Sequence, residues 1–373
     1  MGGCKKNPAS IISLLQQRRV IGSLRSLISS YPSIDFSSND YLGFSSKGLL
    51  AEELKSMLPS GYVGSTGSRL ISGNSMFFQE IENSIAEFHD AESSLIFNSG
   101  YDANLGLLSS VPQKGDLILS DELIHASLID GIRLSFATHY KFRHNDLISL
   151  KELISRHQDA FNDIYVVVES VYSMDGDEAP LLELAKICSN EKIHLIVDEA
   201  HSIGVFGENG KGLCRELNIQ DNCFARIYTY GKALGCHGAA VVGSNELKDF
   251  LVNFSRSFIY TTAMPEHSLM AIRAAYQLLK KTQERKKLQA NIDYFKLKVN
   301  DCTGFINSKS AIHCKLVSGN ESVQKIEERA AKQNIFIKSI KSPTVKEGKE
   351  RIRICLHSFN THEEMDLLFS HVN

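Results

Sequence analysis

Residues 164–198 read IYVVVESVYSMDGDEAPLLELAKICSNEKIHLIVD. Two short runs rich in β-branched residues, 164–170 and 194–198, flank a polar loop and a helical pattern over 180–190. Strands joined through a helix run parallel, because a crossover connection brings the chain back to the same edge. Both runs are apolar almost throughout, which is typical of strands that are buried on both faces. This stretch therefore predicts a strand–helix–strand unit of a mostly parallel sheet.

The same alternation extends outward from this unit, from about residue 45 to residue 260. Further strands are predicted at 94–97, 117–120, 138–142, 226–229 and 239–243. Helical patterns are predicted near 80–89, 125–135, 146–159 and 245–256. Strands that alternate with helices indicate an α/β fold, here a large domain with a seven-stranded, mostly parallel sheet covered on both faces.

The two ends of the chain differ from this pattern. Residues 8–30 predict an N-terminal helix, and 265–300 predict a long helical connection. The tail predicts a small α+β domain, with strands at 311–317, 335–337 and 351–356 and helices at 322–333 and 361–371. The predicted division is an N-terminal helix and arm over 1–45, a large domain over 46–264, and the connection with the small C-terminal domain over 265–373.

Composition excludes several classes of protein. The chain has 373 residues, 43% of them hydrophobic and 23% charged, with a formal net charge of −2, as in an ordinary globular protein. This balance predicts no attraction to nucleic acid or to anionic membranes, and no apolar run is long enough to predict a membrane span. The 8 cysteines are scattered without a C-x-x-C pair, so we expect reduced thiols, a cytoplasmic location and no metal site.

Polar residues cluster where predicted strands end, which is where ligands bind in open parallel sheets. One such cluster, Asp198–Glu199–Ala200–His201, spells the DEAH box of helicases. A helicase also needs an upstream G-x-x-x-x-G-K-[ST] loop to hold phosphate, and the sequence contains none. Nor does any G-x-G-x-x-G follow a strand, so the pattern does not favour a nicotinamide dehydrogenase either.

A lysine that forms a Schiff base with a carbonyl cofactor explains these strand ends better. Pyridoxal 5'-phosphate needs an amine for its aldehyde, a carboxylate for its pyridine nitrogen and N–H groups for its phosphate. Lys232 can supply the amine and Asp198 the carboxylate. Gly100 and Tyr101 open a helix directly after a strand, where backbone N–H groups and the helix dipole favour phosphate. The combination predicts a pyridoxal phosphate enzyme.

Seven sequence motifs occur along the chain in the same order as in a known enzyme family. They are SNDYLG at 38–43, GSTGSRLISG at 64–73, NSGYDAN at 98–104, HAS at 125–127, SMDGD at 173–177, VDEAHSIG at 197–204 and TYGK at 229–232. With them the chain resembles the α-oxoamine synthase family from about residue 10 to the strand at 351–356. That resemblance implies a fold-type-I pyridoxal phosphate transferase, as a rule a homodimer. Such enzymes condense a small amino acid with an acyl thioester and release carbon dioxide.

The resemblance also implies roles for residues around the cofactor. Lys232 would hold the cofactor aldehyde, Asp198 would face the pyridine nitrogen and His125 would stack on the ring. Without the family motif, the local sequence around His125 would indicate a histidine at a helix start or in the core. The resemblance places Ser173 and His201 near the ring hydroxyl of the cofactor. It places Gly100, Tyr101 and Thr229 at the phosphate, where Thr262 of the partner subunit would also bind.

Substrate contacts are implied in the same way. Arg353 would bind the carboxylate of the amino acid, although its pattern alone predicts a strand-edge surface residue. Asn39 and Ser68 lie in family motifs and are expected at the substrate. Arg25 matches a family arginine near the acyl substrate, but Arg18 and Arg19 are close enough to take that role.

The resemblance is strongest to the branch that serves biotin biosynthesis, especially in the 64–73 loop. This branch condenses L-alanine with a pimeloyl thioester. The alternatives are the glycine-using branches, namely 2-amino-3-oxobutyrate–coenzyme A ligase and 5-aminolevulinate synthase, and serine palmitoyltransferase. A different class is a catalytically idle subunit with the same fold, against which the intact Lys232, Asp198 and His125 argue.

Overall fold

The computed structural model describes residues 7–27, 29–55, 64–189, 192–300 and 302–372. Its strands are β1 (Ile34–Asp35), β2 (Ser93–Phe97), β3 (Leu117–Asp121), β4 (Thr138–Phe142), β5 (Ile164–Glu169), β6 (Ile193–Asp198), β7 (Cys223–Thr229), β8 (Ala239–Gly243), β9 (Ile312–Leu316), β10 (Ile335–Phe336), β11 (Lys338–Ile340) and β12 (Arg351–Cys355). Its α-helices are α1 (Ala9–Val20), α2 (Leu49–Lys55), α3 (Met76–Phe88), α4 (Gly100–Ser110), α5 (Ala126–Leu134), α6 (Leu147–His157), α7 (Leu181–Ile187), α8 (Leu213–Glu216), α9 (Asn245–Phe254), α10 (Arg256–Ile259), α11 (Glu266–Lys281), α12 (Glu284–Val299), α13 (Asn320–Lys332) and α14 (His362–Val372).

A seven-stranded sheet forms the centre of the molecule, in the order β2-β8-β7-β6-β5-β3-β4. Neighbouring strands run parallel from β7 to β4, whereas β8 lies antiparallel to both β2 and β7. The predicted seven-stranded, mostly parallel sheet of an α/β fold is therefore confirmed. Since β3, β5, β6 and β7 point the same way, their carboxyl ends lie along one edge.

Both faces of this sheet carry apolar side chains that are buried against helices. Successive residues of β7 show it, because Ile227 belongs to the apolar cluster that also holds Leu107 and Leu128 of α4 and α5, while Tyr228 belongs to a second cluster. That second cluster continues through Leu269 of α11 into the C-terminal segment. Helices thus cover both faces, which leaves the strand ends as the place where polar side chains can meet.

The C-terminal segment forms a separate three-stranded antiparallel sheet, in the order β11-β12-β9. A two-residue parallel pairing of β1 with β10 ties the chain near residue 34 to this segment. The predicted domain boundaries at 45/46 and 264/265 stay a prediction.

Two predicted helices differ from those observed. The N-terminal helix predicted over 8–30 is the shorter α1, because the chain turns at Gly22, whose φ of 65° lies outside the helical region. Residue 28 of that prediction lies outside the described residues. The connection predicted over 265–300 is two helices, α11 and α12, that are separated at Thr282, which has an extended backbone.

Within the described ranges, every helix is too short or too polar to traverse a bilayer. The seven cysteines in those ranges carry free thiols, and Cys4 lies outside them.

Candidate active site

A cavity of about 260 Å³ opens at the carboxyl edge of the central sheet. Strand ends β5, β6 and β7, the start of α4 and the loop before α5 surround it. Its lining residues are Asn39, Ser99, Gly100, Tyr101, Asn104, His125, Ser127, Glu169, Asp198, Ala200, Thr229, Gly231, Lys232, His237 and Gly238.

The carboxylate of Asp198, the last residue of β6, is 4% exposed and hydrogen-bonded on both oxygens. Oδ2 accepts from the Asn104 side-chain amide at 2.8 Å, and Oδ1 accepts from the backbone N–H of Ala200 at 2.9 Å. The same amide donates to the Ser127 hydroxyl at 2.9 Å, which lies 2.7 Å from His125 Nδ1. This chain of contacts fixes Asp198 and the His125 ring relative to each other.

Burial shifts the pKa values of two bases in the site, Lys232 and His125, downward. Burial lowers the pKa of Lys232, although Asp198 and Glu169 pull it upward. Burial also lowers the pKa of His125, with the charge of Lys232 acting in the same direction against that of Asp198. A lysine with a depressed pKa has more of the free amine that attacks an aldehyde or accepts a proton near neutral pH.

The start of α4 is suited to an anion. Gly100 begins the helix, so its backbone N–H groups point outward without partners in the helix, and the dipole adds positive charge. A side chain at Gly100 would overlap the methyl group of Thr229, so the backbone comes close to β7 only because this residue is glycine. The Thr229 hydroxyl is buried without a hydrogen-bond partner among the described residues, so it is free for a ligand.

Asn39 connects the cavity to the C-terminal sheet. Its Oδ1 accepts hydrogen bonds from Arg353 at 3.0 Å and from the Tyr41 hydroxyl at 3.1 Å. Arg353 Nε also donates to the carbonyl oxygen of Ser173 at 2.7 Å. The Tyr41 hydroxyl in turn lies 2.8 Å from His201 Nδ1. Burial lowers the pKa of His201 well below its ordinary value, helped by Lys232 and Arg353.

The predicted site residues fall into three groups. Those that line the cavity are Asn39, Gly100, Tyr101, His125, Asp198, Thr229 and Lys232. Those joined to it through the Asn39 and Tyr41 contacts are Ser173, His201 and Arg353. Those placed elsewhere are Arg25, whose guanidinium donates to Thr344, and Ser68 and Thr262 in two neighbouring loops.

The residues of the site that received no role from the sequence include Glu169, Asn104, Ser127 and Tyr41. Asn104 lies one helical turn after Gly100, so it faces the same way, and Glu169 ends β5 as Asp198 ends β6. Helical spacing and strand-end position were therefore signals for these two. Tyr41 joins the site through its hydrogen bonds with Asn39 and His201, which only the folded structure shows.

The loop that follows β5 is held by a histidine between two carboxylates. His144 Nδ1 lies 3.0 Å from Asp121, and its Nε2 lies 2.7 Å from Asp177 in the loop. Gly176 has a φ of 78°, and a side chain there would overlap the carbonyl oxygen of Ile312, so only glycine fits the turn. These contacts position Ser173 beside Arg353.

A family model described as aminotransferase class I and II matches residues 31–372. The chain belongs to the class I and II aminotransferase family. A relative from Emericella nidulans, named 8-amino-7-oxononanoate synthase, is 41% identical over 358 residues, which cover 90% of this chain and 87% of that protein.

Solved structures agree with this membership. An 8-amino-7-oxononanoate synthase from Francisella tularensis superposes with a TM-score of 0.76 at 30% identity, covering 91% of this chain and 96% of that one. A serine palmitoyltransferase from Sphingomonas wittichii superposes with a TM-score of 0.89 over 97% of this chain and 96% of that one, and at 24% identity it shows the fold alone. Among the aminotransferase class I and II proteins, the chain is an α-oxoamine synthase with the fold-type-I architecture.

The cavity fits the cofactor of this family, pyridoxal 5'-phosphate. The chain is a pyridoxal phosphate-dependent acyltransferase. An amine, a carboxylate fixed by hydrogen bonds, an unpartnered buried hydroxyl and a helix start all surround one cavity. The prediction of this cofactor and of an enzyme, rather than an idle subunit, is confirmed.

We predict that the contact of His144 with its two carboxylates makes stability fall at alkaline pH. Burial alone would lower the pKa of His144, but hydrogen bonds and charges from Asp121 and Asp177 outweigh it and raise the pKa to about 9. The folded state then holds a proton that the unfolded chain, with a histidine pKa of about 6.5, releases. The resulting stability is fully present below about pH 6.5 and is lost as the pH rises through about 9.

Urea unfolding between pH 6 and pH 10 measures this effect. The His144→Gln variant should show a shallower fall in the free energy of unfolding across that range than the unsubstituted protein. His139→Gln is the matched control, because burial lowers the pKa of His139, so its folded state holds no extra proton to release at alkaline pH. Parallel curves for the unsubstituted protein and His144→Gln would contradict the prediction.

Proposed function

We propose that the enzyme condenses L-alanine with a pimeloyl thioester to form 8-amino-7-oxononanoate in biotin biosynthesis. The thioester is carried by coenzyme A or by an acyl carrier protein. The observation that carries the proposal is the 41% identity to a relative named 8-amino-7-oxononanoate synthase, over 90% of the chain. A cytoplasmic location is proposed on the reduced, scattered cysteines.

Binding of the amino acid is the role we assign to Arg353. Its guanidinium lies at the junction of Asn39 and the loop that contains Ser173, next to the cavity. A guanidinium matches a carboxylate with paired, charge-assisted hydrogen bonds. Fixing the carboxylate there would orient the bond from Cα to the carboxyl carbon for its later cleavage.

Lys232 and Asp198 are assigned the proton chemistry. When bound, pyridoxal phosphate supplies the electron sink that stabilises negative charge at Cα of the amino acid. Asp198, fixed by Asn104 and Ala200, holds a proton on the ring nitrogen. Lys232, whose pKa burial lowers, is the base that removes the Cα proton once the substrate has displaced it.

The remaining residues are assigned to orientation of the cofactor. The N–H groups of Gly100 and Tyr101, together with the unpartnered Thr229 hydroxyl, would hold the phosphate. The flat ring of His125, fixed through Ser127, would cover one face of the cofactor ring. His201 and Ser173 would donate or accept hydrogen bonds at the ring hydroxyl.

We further propose a homodimer in which each active site uses both chains. Thr262 and Ser68 lie outside their own cavity, in adjoining loops where the Ala263 N–H donates to the Gly67 carbonyl at 2.9 Å. A shared surface of this kind can present Thr262 to the partner's phosphate site and Ser68 to its substrate. Arg25 is proposed at the acyl substrate on family resemblance, with Arg18 and Arg19 as alternatives.

The first prediction of this proposal is that the cofactor is attached to Lys232. Borohydride makes the bond between a lysine and the cofactor permanent, so peptide mapping after reduction should find the pyridoxyl group on Lys232. The Lys232→Ala variant should lose both the label and the yellow colour. Lys211→Ala, which removes a lysine paired with Asp90 outside the cavity, should keep both. A label on another lysine in the unsubstituted enzyme would refute the assignment.

The second prediction concerns Arg353→Ala. A hydrogen bond to a charged group contributes about 1.5–3 kcal/mol, so the alanine concentration that half-saturates the cofactor's absorbance change should rise roughly tenfold to hundredfold. Arg353→Lys should recover only part of the loss, because a lysine cannot make two parallel hydrogen bonds to a carboxylate. Arg329→Ala, which removes an exposed arginine of α13 that donates to the carbonyl oxygen of His371, is the control. Equal loss of the cofactor from Arg353→Ala would mean that Arg353 supports the fold instead.

The third prediction identifies the substrates. Equal concentrations of glycine, L-alanine and L-serine are offered together with pimeloyl and acetyl thioesters, and the products are identified by mass. We expect 8-amino-7-oxononanoate to dominate. One methyl group is worth only about 1–3 kcal/mol of discrimination, so glycine should react slowly, not be excluded. Preferred use of glycine with the acetyl thioester would reject the biotin assignment and leave the reaction class intact.

A further inference from the structure

Glu169 is the one carboxyl group lining the cavity for which the proposed reaction has no use. It ends β5, is 2% exposed and lines the cavity with Lys232 and Asp198. Its Oε2 accepts a long hydrogen bond from the Ser173 N–H at 3.3 Å, and the backbone N–H of His125 also faces the carboxyl group. Its Oε1 has no hydrogen-bond partner among the described residues. A buried carboxylate with so few partners is unfavourable unless it is neutralised.

Glu169 and Asp198 are paired residues of neighbouring parallel strands, so two carboxyl groups meet at one edge. The other titratable groups that face Glu169 are Lys232 after β7, His125 before α5 and Tyr172 in the loop beyond β5. His125 and Tyr172 are neutral, since burial lowers the pKa of the first and raises that of the second. Lys232 is therefore the only cation among them, and it faces two carboxyl groups.

Hydrogen bonding decides which carboxyl group keeps its charge. Asp198 accepts hydrogen bonds from a side-chain amide at 2.8 Å and a backbone N–H at 2.9 Å, one on each oxygen. The Ser173 N–H lies 3.3 Å from Glu169 Oε2, and Glu169 Oε1 has no partner among the described residues. Donated hydrogen bonds stabilise the ionised form, so Asp198 is the better place for the negative charge. Burial and the charge of Asp198 raise the pKa of Glu169 to about 8, against the pull of Lys232 and the N–H groups nearby.

We propose that Glu169 is a positioning residue that is kept as a neutral carboxylic acid at pH 7 and thereby sets the reactivity of Lys232. While Glu169 carries a proton, Asp198 is the single carboxylate that faces the amine. When Glu169 ionises, a second negative charge stabilises the ammonium form of Lys232 and makes the free amine scarcer. This inference rests on the proposed attachment of the cofactor to Lys232.

The test uses the holoenzyme and follows the absorbance of the bound cofactor from pH 6 to pH 10. The unsubstituted enzyme should show an inflection near pH 8 that comes from Glu169. Glu169→Gln keeps the shape of the side chain but cannot ionise, so this inflection should disappear. Glu178→Gln is the matched control, because Glu178 is a half-buried carboxyl group with a raised pKa that lies outside the cavity. An inflection that persists unchanged in Glu169→Gln would overturn the inference.

A second measurement does not depend on the cofactor. Infrared spectra of the enzyme carrying glutamate labelled with carbon-13 at the side-chain carboxyl report protonated glutamate directly. We expect a signal of protonated glutamate at pH 7 that is lost by pH 10. The same signal should be weaker or absent at pH 7 in folded Glu169→Gln. Glu199 is a second buried glutamate whose pKa burial raises, so the variant assigns the signal. A spectrum without protonated glutamate at pH 7, or one that is unchanged in folded Glu169→Gln, would overturn the inference.

The two proposals fail in different ways. Borohydride labelling of the same samples locates the cofactor. A label on a lysine other than Lys232 refutes the proposed site, whatever Glu169 does. A label on Lys232 together with an unchanged inflection in Glu169→Gln refutes the role of Glu169 alone.

Discussion

The buried carboxylate of Asp198 is the interaction on which the rest of the site depends. A charge with 4% exposure is tolerated only when hydrogen bonds and an opposite charge replace water. Here the Asn104 amide, the Ala200 N–H and the nearby charge of Lys232 do so. These groups belong to α4, to the turn after β6 and to the turn after β7. Stabilising one carboxylate therefore holds three elements together at the edge where the cavity opens.

The central sheet could be predicted because each of its strands leaves a local pattern. β4 and β8 have the predicted bounds, and the bounds of β5 differ by one residue at the carboxyl end. The short strand β1 was not predicted, since two residues carry no period and its partner β10 lies some 300 residues along the chain. The strand β11, with only three residues, was likewise not predicted. Pairings of this kind come from tertiary contact, which a local pattern does not contain.

In the site, too, residues marked by a local sequence pattern could be predicted, and contacts between distant positions could not. Lys232, Asp198 and Gly100 could be proposed because strand ends and helix starts are local features. The contact of Tyr41 with His201 joins positions 160 residues apart, and the bridge of His144 to Asp177 joins positions 33 apart. No spacing predicts these contacts. The family resemblance proposed Arg353, and its geometry beside Asn39 appears only when the C-terminal sheet packs on the large one.

The charge state of the two site histidines follows from the same packing and decides what the cavity can hold. Burial and the cations Lys232 and Arg353 lower the pKa of His201, and burial and Lys232 lower that of His125. The Ser127 N–H donates to Nδ1 of His125 at 3.2 Å, so the remaining proton of a neutral ring sits on Nε2. An uncharged ring can lie flat against a planar cofactor without adding a cation beside the ring nitrogen. The positive charge of the site is thereby confined to Lys232, Arg353 and the start of α4, which are the places suited to an aldehyde, a carboxylate and a phosphate.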